Sequence, residues 1–349
     1  NIPKSIISFF DCQLMLNKRL IAGLIISFAA IAIVFALTFD PSSIKKIGKI
    51  EVVWLIFGAF LHILSWVVWG LRITVMCRYI DKDKRVSLKE GIGIAISNLF
   101  LSAVTPSSIG GEPVRIHLLS KKGFGIGKST ALVVGERIFD AIFFTISLPV
   151  AVFILNTYIK NEVMKLILLA GTVLFIGSLI LFAYLLEDPE IIKKLAKSLM
   201  RKIKIKKIEK KIEKIIDKID GFVESFHKGS KEIFSWKNKS AMGVILAITS
   251  IYWLLEFLVP SCILKGLGQD PIIIQSLSAQ VLLVIMSIIP ITPGGSGIAE
   301  GGGAVLYSFF VSDKSILGVF ILGWRLVTYY LNIVVGGVYQ HKIFGSFDK

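Results

Sequence analysis

Residues 20–39 pass without a single charged side chain, and four more apolar blocks of similar length follow: 52–71, 166–186, 241–264 and 316–338. A helix rises about 1.5 Å per residue, so roughly 20 residues cross a bilayer core of about 30 Å. Each block is long enough. A chain with five such blocks cannot hide them all in one soluble core. The expectation is an all-α polytopic integral membrane protein with about six full spans, the sixth over 130–155. Charged residues make up 18%, below the roughly 25% of soluble domains.

The net charge of +16 would suggest nucleic acid in a soluble protein. Here Lys and Arg lie mostly between the apolar blocks, which fits anionic headgroups and the positive-inside rule, and nucleic acid is set aside. Cys12, Cys77 and Cys262 are odd in number and far apart, so no metal spacing or disulfide framework is read from them. Block 20–39 is too long for the apolar core of a signal peptide and is expected to be retained as a first span.

Charge also orients the chain. Lys4, Lys18 and Arg19 put the N-terminus in the cytoplasm, in an amphipathic segment over 1–19. Arg72, Arg78, Lys82, Lys84, Arg85 and Lys89 read as a cytoplasmic loop over 72–89; Lys45, Lys46 and Lys49 are a mild exception outside. Segment 187–240 is the most basic and is expected inside, as is the C-terminus with His341, Lys342 and Lys349. The localisation implied is the cell membrane, multi-pass, with both termini cytoplasmic.

Two apolar stretches do not fit simple spans. Residues 91–104 are too short and end in Thr105-Pro106-Ser107-Ser108-Ile109-Gly110-Gly111-Glu112-Pro113, with basic flanks on both sides. This reads as a re-entrant hairpin over 91–128, because irregular backbone is tolerated at membrane depth only where protein or a watery cavity surrounds it. Residues 272–311 repeat the pattern around Thr292-Pro293-Gly294-Gly295-Ser296-Gly297. Their neighbouring spans place this second hairpin on the opposite face.

The halves 20–186 and 241–349 can be laid over each other. Trp66 precedes Pro106 by 40 residues and Trp253 precedes Pro293 by 40. Glu112 follows its proline by six and Glu300 by seven; Arg137 follows by 31 and Arg325 by 32. The shared unit of span, hairpin and span predicts an inverted repeat, an arrangement that builds midplane sites in secondary transporters. Chance likeness between two hydrophobic halves is the competing explanation.

Charges inside spans are costly, roughly 2.5–3.5 kcal/mol each on insertion scales, so they should face the bundle interior and pair. Glu136, Arg137 and Asp140 share one helix face by spacing; Glu256 and Arg325 lie well inside their own spans. Two readings stand. The charges merely hold the halves together, or the arginines take a phosphate-bearing headgroup while carboxylates take a cation or proton. Gly110, Gly111, Gly294 and Gly295 break helices beside prolines, which exposes backbone N–H groups to an anion or only makes tight turns. The spacing of Gly297 and Gly301 also suits close helix contact.

In the basic segment, Ile208, Ile212, Ile215, Ile219, Phe222 and Phe226 recur at threes and fours. This predicts an amphipathic helix or helical hairpin: a solvated connector, a membrane-surface helix or a docking helix for a partner. Residues 122–129 fail as a phosphate-binding loop, since Lys122 holds the glycine position. No catalytic triad or metal constellation is found, and the reading calls for no cofactor.

Asn98, Thr105-Pro106, Gly110-Gly111-Glu112-Pro113-Val114-Arg115, Glu136-Arg137-x-x-Asp140 and Thr292-Pro293-Gly294-Gly295-Ser296-Gly297 with Glu300 resemble the lysylphosphatidylglycerol-synthase transmembrane-region family, also called flippase-like proteins. The resemblance covers about 20–343. It departs at Ser296, where the family often has a larger apolar residue. It implies a membrane region that moves modified phospholipids or lipid-linked molecules between leaflets, without the soluble aminoacyl-transfer domain. It further implies that Glu112, Arg115, Glu136, Arg137, Asp140 and Glu300 lie near a lipid-handling cavity. The expected function is therefore a non-enzymatic flippase-like transporter for an anionic or lipid-phosphate substrate, with Arg137 and Arg325 on the headgroup. An integral-membrane enzyme on a lipid phosphate, with Glu112 or Asp140 as general base, and a scaffold for a partner transferase remain the alternatives.

Overall fold

The computed structural model describes residues 21, 25–33, 36–37, 50–81, 83–105, 110–187, 224–234, 239–287 and 295–345. Among the described residues every regular element is a helix. The first half supplies α1 (Val52–Ile80), α2 (Leu88–Val104), α3 (Gly111–Leu119), α4 (Gly125–Asn156) and α5 (Glu162–Glu187). The second supplies α6 (Lys239–Gly266), α7 (Ile273–Ser287), α8 (Ile298–Tyr307), α9 (Leu317–Arg325) and α10 (Leu331–Gly345).

Four helical stretches are long and apolar enough to cross a membrane: Val52–Ile80, Gly111–Asn156, Lys239–Gly266 and Lys314–Tyr339. Lys165–Leu181 and Ile273–Ser287 are shorter apolar helices. Gly111–Asn156 bends at Gly123 and Gly125, whose φ values of +91° and +70° suit only glycine without strain. The expected first span lies largely outside the described residues; its residues 25–33 are helical, with Ser27 and Ile31 buried.

Local chemistry explains where the helices start. Ser87 and Glu90 form a capping box at α2: the Glu90 N–H donates to Ser87 Oγ, and the Ser87 N–H donates to the Glu90 carboxylate at 2.8 Å. Pro149 and Pro260 lie inside α4 and α6, positions that membrane helices tolerate. The outward faces are apolar, with Val53, Ile56 and Phe60 on α1, Phe153 on α4, Leu174 on α5 and Val334 on α10 exposed. That is the surface a lipid-facing bundle presents.

The largest helix contact joins α1 to α6. Leu55 lies against Gly266, Gly58 against Cys262, His62 meets Glu256, Trp69 lies beside Tyr252, and Arg72 reaches Thr249. The numbers rise on one helix as they fall on the other, so α1 and α6 run antiparallel along their whole length. Several other contacts keep their form when the halves are exchanged. Helix α4 packs on α7 and α10 packs on α2; α2 pairs with α3 as α7 pairs with α8.

Glycines permit the closest crossings. A Cβ on Gly70 would lie 2.7 Å from the Ile92 Cα, and one on Gly336 would lie 2.7 Å from the Phe100 N. Small residues let backbones approach where lipid offers no hydrophobic drive to association.

Two expectations need revision. Arg72 and Arg78 do not lie in a loop: α1 continues to Ile80, and Arg72 is 1% exposed. The loop proper is 81–87, where Lys128, 3.0 Å from Asp81, holds that carboxyl below its ordinary range. The basic segment is described only over 224–234, which is helical and folds back on the bundle. Gly229 sits against Ala131, Ile233 is buried beside Gly135, and Phe234 stacks on Phe139 at 5.4 Å. Its apolar repeat from Ile208 to Phe222 lies outside the described residues.

Candidate functional site

The first half holds a buried ionic cluster built from four helices. Glu136 on α4 accepts from Arg115 on α3 and from two α1 donors, the Trp69 indole N–H at 2.9 Å and Arg72 Nε at 3.1 Å. Asp140, one turn on, accepts from Arg72 Nη1 at 2.7 Å, from Arg137 Nη1 at 3.1 Å and from the Trp253 indole on α6 at 2.9 Å. Glu112 on α3 closes the group, with its Oε1 3.0 Å from Arg137 Nε. Three guanidinium groups thus face three carboxylates, and the cluster is neutral when all are ionised. Neutral pairing with hydrogen bonds is the condition under which charges persist in a low-dielectric interior.

Pairing is uneven within the cluster. Arg72 donates through Nε and Nη1 and lies 5.4 Å from the Tyr252 ring centroid. Arg115 is fully enclosed and stacks over Trp69 at 5.3 Å, yet its Nε and Nη2 have no hydrogen-bond partner among the described residues. Its Nη2 is 3.9 Å from Glu112, too far for a hydrogen bond. On α2, Asn98 Oδ1 is a buried acceptor without a hydrogen-bond partner among the described residues. Arg137 and Glu112 are the accessible edge, at 44% and 31% of side-chain exposure.

A second group occupies the other half. Glu300, fully buried, accepts from Ser27 Oγ at 2.5 Å and from the Gly297 N–H at 2.5 Å, and lies 2.8 Å from Arg325 Nε. Arg325 stacks over Tyr329 at 4.0 Å, and its Nη2 is 3.4 Å from Ser296 Oγ. A π-helical turn, Leu326–Tyr330, follows it. Such turns often mark functional positions.

A third group bridges the halves. His62 Nδ1 on α1 lies 2.8 Å from Glu256 on α6, and Nε2 lies 3.0 Å from Asn332 Oδ1 on α10. Ser65 also contacts the Glu256 carboxylate.

The sequence-derived residues therefore fall into two sets. Glu112, Arg115, Glu136, Arg137 and Asp140 come together; Glu300 and Arg325 form their own pair, and no ion pair joins the two sets among the described residues. Both arginines read as headgroup donors already have carboxylate partners. The hairpin N–H groups are also partly engaged: Gly110 donates to Thr105 Oγ1 at 2.8 Å, and Gly297 donates to Glu300. Gly111 abuts Asn98, and Gly295 and Gly297 take positive φ. Pro106, Thr292, Pro293 and Gly294 lie outside the described residues. Arg72, Trp69 and Trp253 were missed. For Arg72 the signal was available, since its separation from Trp69 and Ser65 keeps all three on one α1 face.

The chain matches known proteins along most of its length. It is 34% identical over 323 residues to a UPF0104 membrane protein of Archaeoglobus fulgidus, covering 90% of this chain and 94% of that one. It is 25% identical to the UPF0104 membrane protein MJ1595 of Methanocaldococcus jannaschii, covering 93% and 95%. A UPF0104 membrane protein of Methanothermobacter thermautotrophicus is 23% identical, covering 89% and 91%. No solved structure matches it. The family model for the lysylphosphatidylglycerol synthase TM region spans residues 20–336, and the chain belongs to that family of multi-pass membrane proteins.

Proposed function

We propose that this protein is a flippase-like transporter that moves an anionic phospholipid or a lipid-linked phosphate between leaflets, as a carrier and not as an enzyme. The helix pairs α2–α3 and α7–α8 act as re-entrant hairpins entering from opposite faces, within an inverted repeat of about six spans. Both termini lie in the cytoplasm. The antiparallel pairing of α1 with α6 and the exchange-symmetric packing support this arrangement.

The observation that carries the substrate class is Arg115. A buried guanidinium whose Nε and Nη2 find no hydrogen-bond partner among the described residues is costly. A phosphate oxygen entering past Glu112 and Arg137 would satisfy those donors in the forked geometry that guanidinium offers. Glu112, at the accessible edge, then screens or admits the headgroup.

The test uses proteoliposomes with a fluorescent anionic phospholipid and a membrane-impermeant quencher. Arg115→Lys keeps a positive charge against Glu136 but removes the planar fork. Its translocation rate should fall about tenfold, the equivalent of about 1.4 kcal/mol or one charged hydrogen bond. Its thermal unfolding should stay close to that of the parent. Equal rates in the two proteins would reject Arg115 as the headgroup donor. Loss of transport only in an Arg137→Ala, Arg325→Ala double variant would move the site to those residues.

A further inference from the structure

The His62–Glu256 pair is not used by the reading above, and contacts from three helices meet at it. We propose that it is a proton-binding site on the seam between the two halves, and that the bound proton holds the halves in register there.

An imidazole carries one or two ring protons. With Asn332 Oδ1 3.0 Å from Nε2, that nitrogen donates. The 2.8 Å contact from Nδ1 to Glu256 Oε1 then requires one more proton between them. It sits either on Nδ1, giving an imidazolium facing a carboxylate, or on the carboxyl, giving a neutral acid facing a neutral imidazole. Both forms hold the same total. Remove that proton to water and a nitrogen lone pair faces a carboxylate, which is repulsive in a dry interior. The contact must then open, or the Asn332 amide must turn to donate.

The surroundings fit a site that loads and unloads. His62 keeps 3% of its side chain accessible and Glu256 keeps 16%, so the carboxylate is the more accessible member of the pair. Ser65 has one hydroxyl proton and two acceptors in reach, Glu256 and the His62 carbonyl at 2.6 Å, so it can follow either state. On α1 the pair is flanked by Ser65 and Trp66; the Trp66 ring meets His62 edge-on at 5.2 Å. On α6 the nearest titratable neighbour is Tyr252, one turn before Glu256, which also feels Arg72, Arg137 and Asp140. From the last helical stretch come Asn332 and the Thr328 backbone.

The three participating helices are among those that join the halves. Glu256 and Asn332 belong to the second half and His62 to the first, so proton occupancy changes a contact that crosses the seam. Two of the three helices, α1 and α6, also contribute to the ionic cluster, since Arg72 on α1 reaches Thr249 on α6 at 3.3 Å and Trp253 on α6 reaches Asp140. A proton that biases this seam biases the arrangement of that cluster, which is the requirement for coupling two sites.

The test reads the protein and not lipid transport, so it stands or falls apart from the reading above. The full chain is placed in lipid nanodiscs with 15N in the histidine rings. The chain has four histidines, and the signal missing from a His62→Gln variant assigns the one of interest. Between about pH 5 and about pH 9 the pair should lose one proton, seen as loss of the imidazolium signature or, where the carboxyl holds the proton, as a shift of the Nδ1 resonance, and Glu256→Gln should move that transition. His62 ring 15N shifts that stay flat across this range, in the parent and in Glu256→Gln alike, would overturn the site.

The mechanical half has its own readout. A Cβ on Gly58 would lie 3.5 Å from the Cys262 Cβ across the seam, within disulfide reach. A Gly58→Cys variant should cross-link to Cys262 under a mild added oxidant. Divided by the rate in the same variant carrying Glu256→Gln, the cross-linking rate should fall about threefold or more as the proton leaves. A ratio flat with pH would show a proton bound without mechanical consequence and would overturn the register claim.

Discussion

At the scale of single residues, Glu136 is the hinge of the ionic cluster, because three donors on two other helices converge on its two oxygens. Removing the charge with Glu136→Ala leaves Arg72 and Arg115 buried with a positive excess. Breaking a buried pair in this way costs about 3–5 kcal/mol. The expected outcome is a large fall in the midpoint of thermal unfolding in detergent, or failure to accumulate in the membrane. Arg137→Gln should differ sharply, since that side chain is 44% exposed, Asp140 keeps Arg72 and Trp253 as donors, and Glu112 lies at the accessible edge; a cost below about 1 kcal/mol is expected. If both variants melt alike, the distinction between core and edge of the cluster is wrong. Sequence reasoning reached Glu136, Arg137 and Asp140 because a charge triplet inside an apolar run stands out. It lost Arg72 because a basic residue at the end of an apolar block counts as loop under the positive-inside rule. Only the helix end at Ile80, set by the chain beyond, reveals it as interior.

At the scale of elements, the bundle depends on a few crossings where no side chain fits. Gly70 on α1 faces the backbone of Ile92 on α2, and a methyl there would meet the Ile92 Cα at 2.7 Å. Backbone cannot move aside as a side-chain tip can. Gly70→Ala should therefore destabilise by about 1–3 kcal/mol, the usual cost of overpacking. It should do so through the α1–α2 contact alone. Gly171→Ala in α5 has nothing within 4 Å of the new methyl and should leave the melting midpoint unchanged. Equal effects at the two sites would mean that the α1–α2 crossing is looser than these distances imply. The helices themselves were legible: block 241–264 became Lys239–Gly266, and 91–104 became Leu88–Val104. What hydropathy could not supply is which glycines mark crossings. Gly70, Gly171 and Gly336 look alike in sequence, and only the partner helix distinguishes them.

At the scale of the whole molecule, the arrangement of the halves decides which face of the membrane each proposed hairpin would enter. Equally spaced residues such as Trp66 with Pro106 and Trp253 with Pro293 suggest a repeat, but spacing carries no direction. Direction comes from packing: α1 and α6 run antiparallel from the Leu55–Gly266 end to the Arg72–Thr249 end. The turn after α1, at Asp83, and the turn after α6, at Gln269, therefore lie at opposite ends of that pair. At 29 and 28 residues and about 1.5 Å per residue, each helix exceeds a bilayer core of about 30 Å. If both span, the two turns emerge on opposite sides. A single cysteine at Asp83 should react with an impermeant thiol reagent only from the cytoplasmic side, where Lys84 and Arg85 also place it. A single cysteine at Gln269 should react only from outside. Reaction of both from one side would mean that α1 and α6 do not each cross the membrane. The opposed hairpins, and with them an alternating route for a headgroup past Arg115, would then lose their basis.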